Sequence, residues 1–569
     1  MTGFGPLWPS GRDGQQVRSR MNRLSDTSDD RLGSWKEIAA YVNRGVRTVR
    51  RWESEEGLPV HRHMHRTLAS VYAYKSEIDR WRRRNERRRD VSASDAAAVP
   101  AGGTEMSIAV LPFTNLSADP DNEYFADGLT DEVIADLSNV RALRVISRTS
   151  SMGFKSSKQD VKTIARELGV RYVVEGTVRR EGRRLRITAQ LIDASADDHM
   201  WAEKYGGTLE DVFAIQERLA RLIVNALKLR LSAEEDRRLS DRPIDNVHAY
   251  ECYLHARQEA FRWRRDAIDH AVQLLRNGLA IAGENVQLMA CLGRAHLQYR
   301  EAGIDFGDGP LDDAEACVRK VFALDPQSAA GWQLRGWIRY ARGQIQDAVR
   351  DLKAALEIEP GNPDTLALLS NCYLISGQVP AARPLIERLL AVDPLTPLTR
   401  CLPGWADVLE GRFASAVAPY RQMLEMDPDN PMARLFYVWV LVLNQREAEV
   451  RQIVESFPPQ LRDTLPGRLT FFLAHALSGN VRGAVGAMTP EIETLANGSD
   501  VFPRMLAQGY ALAGMKDRAL DWLAVAVDRG FINYPFLAEH DPFFASLRRL
   551  PRFTRLLDLV RDRWTRFEA

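Results

Sequence analysis

The residues of this 569-residue sequence best suited to chemistry are cationic donors gathered in one short stretch. Arg44, Arg47, Thr48, Arg50 and Arg51 are followed by His61, Arg62, His63 and Arg66. Guanidinium, imidazole and hydroxyl donors at this density suit the base edges and phosphate oxygens of a polyanion, and sequence alone does not divide them between the two. The alternating histidines His61, His63 and His65 raise a metal site as the rival reading. No Cys or carboxylate with ligand spacing accompanies them, so a solvated basic hairpin is expected. Arg31 to Arg89 carries about nine excess positive charges in a chain of net charge +1, so the remainder is acidic by about eight. The electrostatic footprint for nucleic acid is therefore confined to one end.

Elsewhere reactive groups are sparse. Asp119, Asp121, Asn122, Glu123 and Asp127 form an acidic stretch, but it lacks the sixth-position Gly and closing Glu of a calcium loop, so loop solvation and helix capping are expected. No phosphate-cradling Gly-rich loop, nucleophile elbow or paired metal-ligand motif is present. No catalytic residue, metal or cofactor is assigned, and an enzyme is not expected. Cys252, Cys291, Cys317, Cys372 and Cys401 follow no framework and read as small core residues in a reducing compartment. The longest apolar run, Leu435 to Leu443, is too short for a bilayer, and no signal peptide is visible, which predicts a cytoplasmic protein without a membrane partner.

The basic donors need elements to aim them. At about 100° per residue, Trp35, Ile38, Ala39 and Val42 share one helical face. After the break Asn43-Arg44-Gly45, residues Val46, Val49 and Trp52 form an apolar stripe, with Arg47, Thr48 and Arg51 opposite and Arg50 at the edge. An apolar back, a basic front and a tight turn are what a helix-turn-helix needs to enter a major groove. The stretch WKEIAAYVNRGVRTVRRWESEEGLPVHRH resembles the MerR/excisionase-like helix-turn-helix modules of bacterial regulators, over roughly Leu32 to Arg84. The resemblance implies a wing over Leu58 to Tyr72 and binding as two-fold homodimers on pseudo-palindromic half-sites. A third helix is expected with Tyr74, Ile78 and Trp81 at i, i+4, i+7, ending in the run Arg82 to Arg89.

Around this module the chain divides by composition. Residues 1–30 lack periodicity and are expected to be disordered, with Met21 a candidate start; 31–89 form the DNA-binding module and 90–105 a linker. Residues 106–232 read as a small α/β domain. Met106 to Phe113 is a continuous apolar run, as in a buried strand. Thr130 precedes a helix to Ser138 with Asp131 and Glu132 in its first turn. Further helices fit Val161 to Leu168 and Leu209 to Leu231. Arg171 to Val178 and Arg184 to Ile192 flank a turn at Arg180-Glu181-Gly182-Arg183, and Leu185, Ile187, Ala189 and Leu191 alternate with polar residues. IAVLPFTNLSADPDNEYFADGLTDEVIADL, ELGVRYVVEGTVRREGRRLRITAQLID and MWAEKY together resemble the TolB N-terminal-like (FlgO-like) domain, over Ser107 to about Leu231.

From Ala329 a 34-residue register appears in the units Ala329 to Asn362, Pro363 to Thr396 and Pro397 to Asn430. Gly336 and Gly404 fall where two helices press close, Gly343, Gly377 and Gly411 at the turn, and Pro360, Pro394 and Pro428 near each end. The middle unit has Ser370 at the close position and extra prolines at Pro380 and Pro384, so its second helix is expected to start late. The pattern is that of tetratricopeptide repeats. Divergent units extend it over about 245–530, with about nine extra residues at Glu301 to Pro310, a blurred register after Asn430, and a capping segment at 531–569. The resemblance implies a concave partner wall with Trp337, Tyr340, Asn371 and Trp405 on it.

The sequence thus predicts a multidomain protein: a small winged helix-turn-helix, an α/β TolB N-terminal-like domain and an all-α repeat solenoid. The function expected is a DNA-binding transcriptional regulator, contacting duplex DNA through the basic module and a protein or peptide through the repeats. The rival is a scaffold for a signalling complex in which the basic module only localises the protein.

Overall fold

The computed structural model describes residues 31–32, 34–42, 49, 58–64, 69–75, 77–78, 106–119, 122–196, 198–499 and 501–569. They belong to two compact units, Met1–Thr104 and Glu105–Ala569.

In the first unit, Ser34 caps the helix Trp35–Tyr41 by accepting the Glu37 N–H at 3.3 Å. The helix sets Ile38 and Ala39 into a core with Leu32, Val42, Val49, Leu58, Ala73 and Ile78. Strands β1 (Arg31–Leu32), β2 (His61–Met64) and β3 (Ala69–Tyr74) form an antiparallel sheet of order β1-β3-β2, in which His61 faces Tyr72. Tyr74 ends β3 instead of opening the third helix, and helical residues begin at Lys75. Val46, Trp52 and Trp81, which the apolar stripes also require, lie outside the described residues.

The second unit opens on a six-stranded sheet: β4 (Met106–Val110), β5 (Thr114–Asn115), β6 (Leu143–Val145), β7 (Tyr172–Glu181), β8 (Arg184–Asp193) and β9 (Asp198–Thr208). The order is β6-β4-β7-β8-β9, with β5 also on β7. Strands β6, β4 and β7 run parallel, and β7, β8 and β9 antiparallel. Ile108, Ala109 and Val110 are all fully buried, so β4 is covered on both faces. Gly182, at φ +59, makes the two-residue turn that pairs Glu181 with Arg184.

Thr130 is not an N-cap. The helix runs Glu123–Ser138, and Thr130 sits in its interior, donating from Oγ1 to the Ala126 carbonyl (2.9 Å) and accepting the Phe113 N–H (3.0 Å). Burial of Phe125, Ala126, Leu129 and Val133 pays for the added turns. A Cβ on Gly128 would lie 2.7 Å from Leu254, so glycine lets this helix press against the first repeat helix. The helix expected at Leu209 to Leu231 is a 3-10 turn Leu209–Asp211 followed by the helix Val212–Ala226, which ends short of Leu231, and a separate helix Ala233–Ser240 lies beyond it.

The repeat region contains, among the described residues, eight helix pairs. They are Val247–Ala260 with Arg265–Ala282, Val286–Glu301 with Gly309–Leu324, Ala329–Ala341 with Ile345–Ile358, Pro363–Ile375 with Val379–Val392, Pro397–Leu409 with Phe413–Met426, Pro431–Leu443 with Glu447–Glu455, Leu465–Leu477 with Val481–Ala487 and, after Pro490–Asn497, Phe502–Leu512 with Lys516–Asp528. From Ala329 to Leu465 each first helix begins thirty-four residues after the last, so the register continues past Asn430. The middle unit does not start its second helix late: Pro380 sits in the first turn of Val379–Val392, where its missing N–H has no partner to lose.

One hydrophobic core joins the sheet to the first repeats, running from Ile108 and Leu219 through Leu239 to Tyr253, Leu292 and Ile338. Individual turns of the array also make long-range contacts. Turns between repeats meet the sheet domain: the Ser147 N–H donates to the Val392 carbonyl at 2.7 Å, and buried Asp393 accepts from the Ser147, Ser150, Thr396 and Thr399 hydroxyls. Turns within repeats meet the C-terminal segment. Ile532 N–H donates to the Ile375 carbonyl (3.0 Å), Asn533 Nδ2 to Leu374 (3.0 Å), and Trp564 and His540 lie against Gly377 and Gly411.

Candidate functional site

Of the residues expected to contact DNA, Arg44, Arg47, Thr48, Arg50, Arg51 and Arg66 lie outside the described residues. Arg62 and His63 fall on β2, opposite Val71 and Ser70. The His61 ring stacks on Tyr72, with centroids 5.2 Å apart, and its Nε2 meets Glu77 Oε2 at 2.6 Å. A carboxylate and an aromatic face thus fix the orientation of this imidazole at the base of the hairpin.

Three of the expected groove residues come together on the array. Trp337 meets Tyr340 edge-on at 6.2 Å, and Asn371 Nδ2 donates to the Tyr340 hydroxyl at 2.8 Å. Trp405 lies elsewhere, beneath the chain's own helix Phe502–Leu512: the Arg504 guanidinium is 4.0 Å from its ring centroid and 5.1 Å from those of Trp439 and Phe531. Beside this stack, Trp439 Nε1 donates to Gln508 Oε1 (2.7 Å) and Gln508 Nε2 to Asp541 Oδ2 (2.6 Å). This stretch of the wall is occupied by intramolecular contacts.

Trp337 also lines a cavity of about 990 Å³. Its walls come from the sheet domain at Asp131, Asp136 and Arg148, from the helix Ala233–Ser240 and the loop after it, from the first three repeats, and from repeat turns near Asn362. An ion-pair network, buried at Asp131 and half-buried at Glu132, Arg148 and Arg257, forms one wall. Asp131 pairs with Arg148 and, at 3.3 Å, with Arg257, while Glu132 pairs with Arg257 at 3.1 Å. Arg257 Nη1 donates to the Tyr253 hydroxyl (2.9 Å), as does Gln287 Nε2 (2.7 Å). Burial raises the Asp131 and Glu132 carboxyls above the usual range despite the pull of Arg257, and it lowers the Arg148 guanidinium. Burial would also lower Arg257, but Tyr253, Asp131 and Glu132 hold it well above its ordinary value. Burial, then Glu132 and Glu217, push Asp136 well up. Arg148 lies 3.6 Å over the Phe261 ring.

Of these cavity residues the sequence marks only Trp337 as a site residue, and Asp131 and Glu132 enter it only as first-turn residues of a helix. The signals available were only the i, i+4 spacings of Glu132 with Asp136 and of Arg294 with Gln298, which any solvated helix face also shows. Among the described residues, no group of three or more His, Cys, Asp or Glu is placed to hold a metal ion. No helix among them is long and apolar enough to cross a membrane.

Residues 104–222 match the family model described as HilA/YgeH-like transcriptional regulator, second domain. Residues 339–398 and 408–467 match that of the tetratricopeptide repeat. Over 192 residues the chain is 43% identical to the protein named "Putative adenylate cyclase 3" of Rhizobium meliloti (strain 1021), a span of 34% of this chain and 32% of that protein. The chain therefore spans about a third of the length of the curated relative it matches. Among solved structures, a thermophilic tetratricopeptide-repeat protein of Thermus thermophilus is similar over 34% of this chain and 100% of its own, at 19% identity and a TM-score of 0.29. TolB from Acinetobacter baumannii is similar over 23% of this chain and 30% of its own, at 20% identity and a TM-score of 0.17. The chain is multidomain, with a regulator-type sheet domain followed by a helical repeat solenoid.

Proposed function

We propose that this protein is a DNA-binding transcriptional regulator whose sheet domain and repeats form its protein-interaction region. The observation that carries the reading is the HilA/YgeH-like regulator match at 104–222, directly after a basic unit. In this reading, residues 31–89 form a MerR/excisionase-like winged helix-turn-helix. The second helix presents Arg47, Thr48 and Arg51 to the major groove, with Arg44 and Arg50 beside them. The β2–β3 hairpin is the wing, bringing Arg62, His63 and Arg66 to the phosphates, with His61 at its base. The helix Trp35–Tyr41, its Ser34 cap and the three-stranded sheet support this arrangement.

The sheet domain is read as TolB N-terminal-like, the protein as a cytoplasmic homodimer, and the repeat surface around Trp337, Tyr340 and Asn371 as the seat of a protein or peptide partner. One module offers few groove contacts, so specificity depends on pairing two half-sites. The test is selection of duplex DNA sites by the full-length protein, repeated with Arg47→Ala and Arg51→Ala. Recovery of a two-fold site that both variants weaken supports the reading. Failure to retain any duplex at low salt refutes it.

A further inference from the structure

We infer that the cavity between the sheet domain and the first repeats binds a small organic cation, an amine on an apolar or aromatic body, with its charge at Asp136 and a polar group between Trp337 and Gln298. The inference is independent of the DNA-binding reading.

The space suits a small molecule: about 990 Å³ lies within the range of pockets that enclose one. Its charge is unbalanced. Nine carboxylates and six arginines line it, with no lysine or histidine. Five of the arginines already have partners. Arg148 and Arg257 hold Asp131 and Glu132, Arg237 and Arg238 hold Glu234, and Arg294 reaches away to Glu301 at 2.7 Å. The sixth, Arg242, lies 6.0 Å from the Phe213 ring centroid. The Asp136 side chain, in contrast, makes no hydrogen bond or ion pair among the described residues. It lies one turn beyond Glu132 on the same helix and feels Glu217, which also lines the cavity and pairs with Arg221 at 3.0 Å. A carboxylate in that setting is stabilised by an added positive charge.

Two further groups call for a ligand independently of this acidic end. Gln298, 6% exposed, keeps Oε1 without a donor, and Trp337 Nε1–H is buried without an acceptor; both residues line the cavity. Gln298 is one turn beyond Arg294 on the helix Val286–Glu301, and the Arg294 guanidinium lies 4.9 Å from the Trp337 ring centroid. A buried orphan acceptor and a buried orphan donor each carry a cost that a ligand with both functions removes. The apolar body has aromatic walls to meet. Phe213 and Tyr250 pack at 4.8 Å, and Tyr250 feels the Asp136 charge. On the cavity lining, Trp263 is 45% exposed in a left-handed backbone conformation, φ +52, that a bulky residue rarely adopts. Ring faces beside carboxylates are how organic ammonium ions are recognised.

The test is isothermal titration calorimetry on the full-length protein with tryptamine, spermidine and indole-3-acetate. Tryptamine and indole-3-acetate share a ring and differ in the sign of their charge. Saturable binding of tryptamine, weakened about tenfold or more by Asp136→Asn and also weakened by Gln298→Met, is the expected result. Asp136→Asn relieves like-charge repulsion, so its melting temperature should not fall, which separates lost binding from lost folding. Equal affinity in Asp136→Asn, tighter binding of indole-3-acetate or of spermidine, or no saturable heat from tryptamine at millimolar concentration would overturn the inference, the last outcome meaning that water alone satisfies Gln298 and Trp337.

Discussion

Replacing Gln508 by leucine isolates the polar chain under the C-terminal helices, because leucine fills a similar volume and removes both hydrogen bonds. Trp439 is 1% exposed, and Gln508 and Asp541 are 0% exposed, so no water can take over. The substitution leaves the Trp439 N–H and one Asp541 oxygen unpaired. At roughly 1–3 kcal/mol for each stranded group, the loss is about 2–6 kcal/mol. Asp541 adds a pH dependence. Burial raises its carboxyl from 3.8 to about 6, against the lowering effect of Gln508. The folded state therefore holds a proton that the unfolded chain has released. The stability is complete below the unfolded value and falls as pH rises through about 6, by about 3 kcal/mol in all. Without Gln508 the carboxyl rises further, so the variant should lose more at about pH 8 than at about pH 4.5. Hydrogen exchange across 502–512 and 536–547 in the whole chain is the suitable assay, since a chain of this size need not unfold in one step. A loss below about 0.5 kcal/mol, or one larger at acid pH than at alkaline pH, refutes the reasoning.

Other substitutions probe the remaining junctions. Gly176→Ala would put a Cβ 2.4 Å from the Thr188 carbonyl oxygen in the β7–β8 pair and should cost roughly 2–4 kcal/mol, read as lower urea resistance of the sheet. Asp393→Ala removes the acceptor of four hydroxyls and should cost roughly 2–5 kcal/mol, with hydrogen exchange rising around 147–152 and 391–399. Unchanged protection there would show that the shared core alone holds the sheet to the repeats. Arg47→Ala and Arg51→Ala should each cost about 1–3 kcal/mol of DNA affinity at a base contact, or reduce the salt slope by about one at a phosphate. Fluorescence anisotropy across a salt series separates the two.

Elements with a strong local pattern were legible in the sequence, and those defined by distant neighbours were not. The β7–β8 hairpin and the helix Val161–Leu168 follow from alternation and period. β9 escaped because it is an edge strand with only Tyr205 buried, so it shows no apolar face. The early turns of Glu123–Ser138 escaped because an acidic stretch with Gly128 reads as a loop, whereas the structure uses that glycine for contact with Leu254. The thirty-four-residue register gave the repeats but not the return of the C-terminal segment to Gly377 and Gly411, a pairing across long sequence separation. The cavity was hidden for the same reason, since its walls come from segments spread between Asp131 and Val392.

That return has a consequence for synthesis. The carbonyl of Leu374 finds the Asn533 amide 159 residues later. At elongation rates of roughly 5–20 residues per second, the middle repeats therefore leave the ribosome on the order of ten to thirty seconds before the segment that seals their turns is made. During that interval the turns around Leu374, Ile375, Gly377 and Gly411 stand without the segment that covers them. A premature stop or a degraded C-terminus would leave them so permanently, making the last forty or so residues the point at which a nascent chain is either completed or recognised as defective.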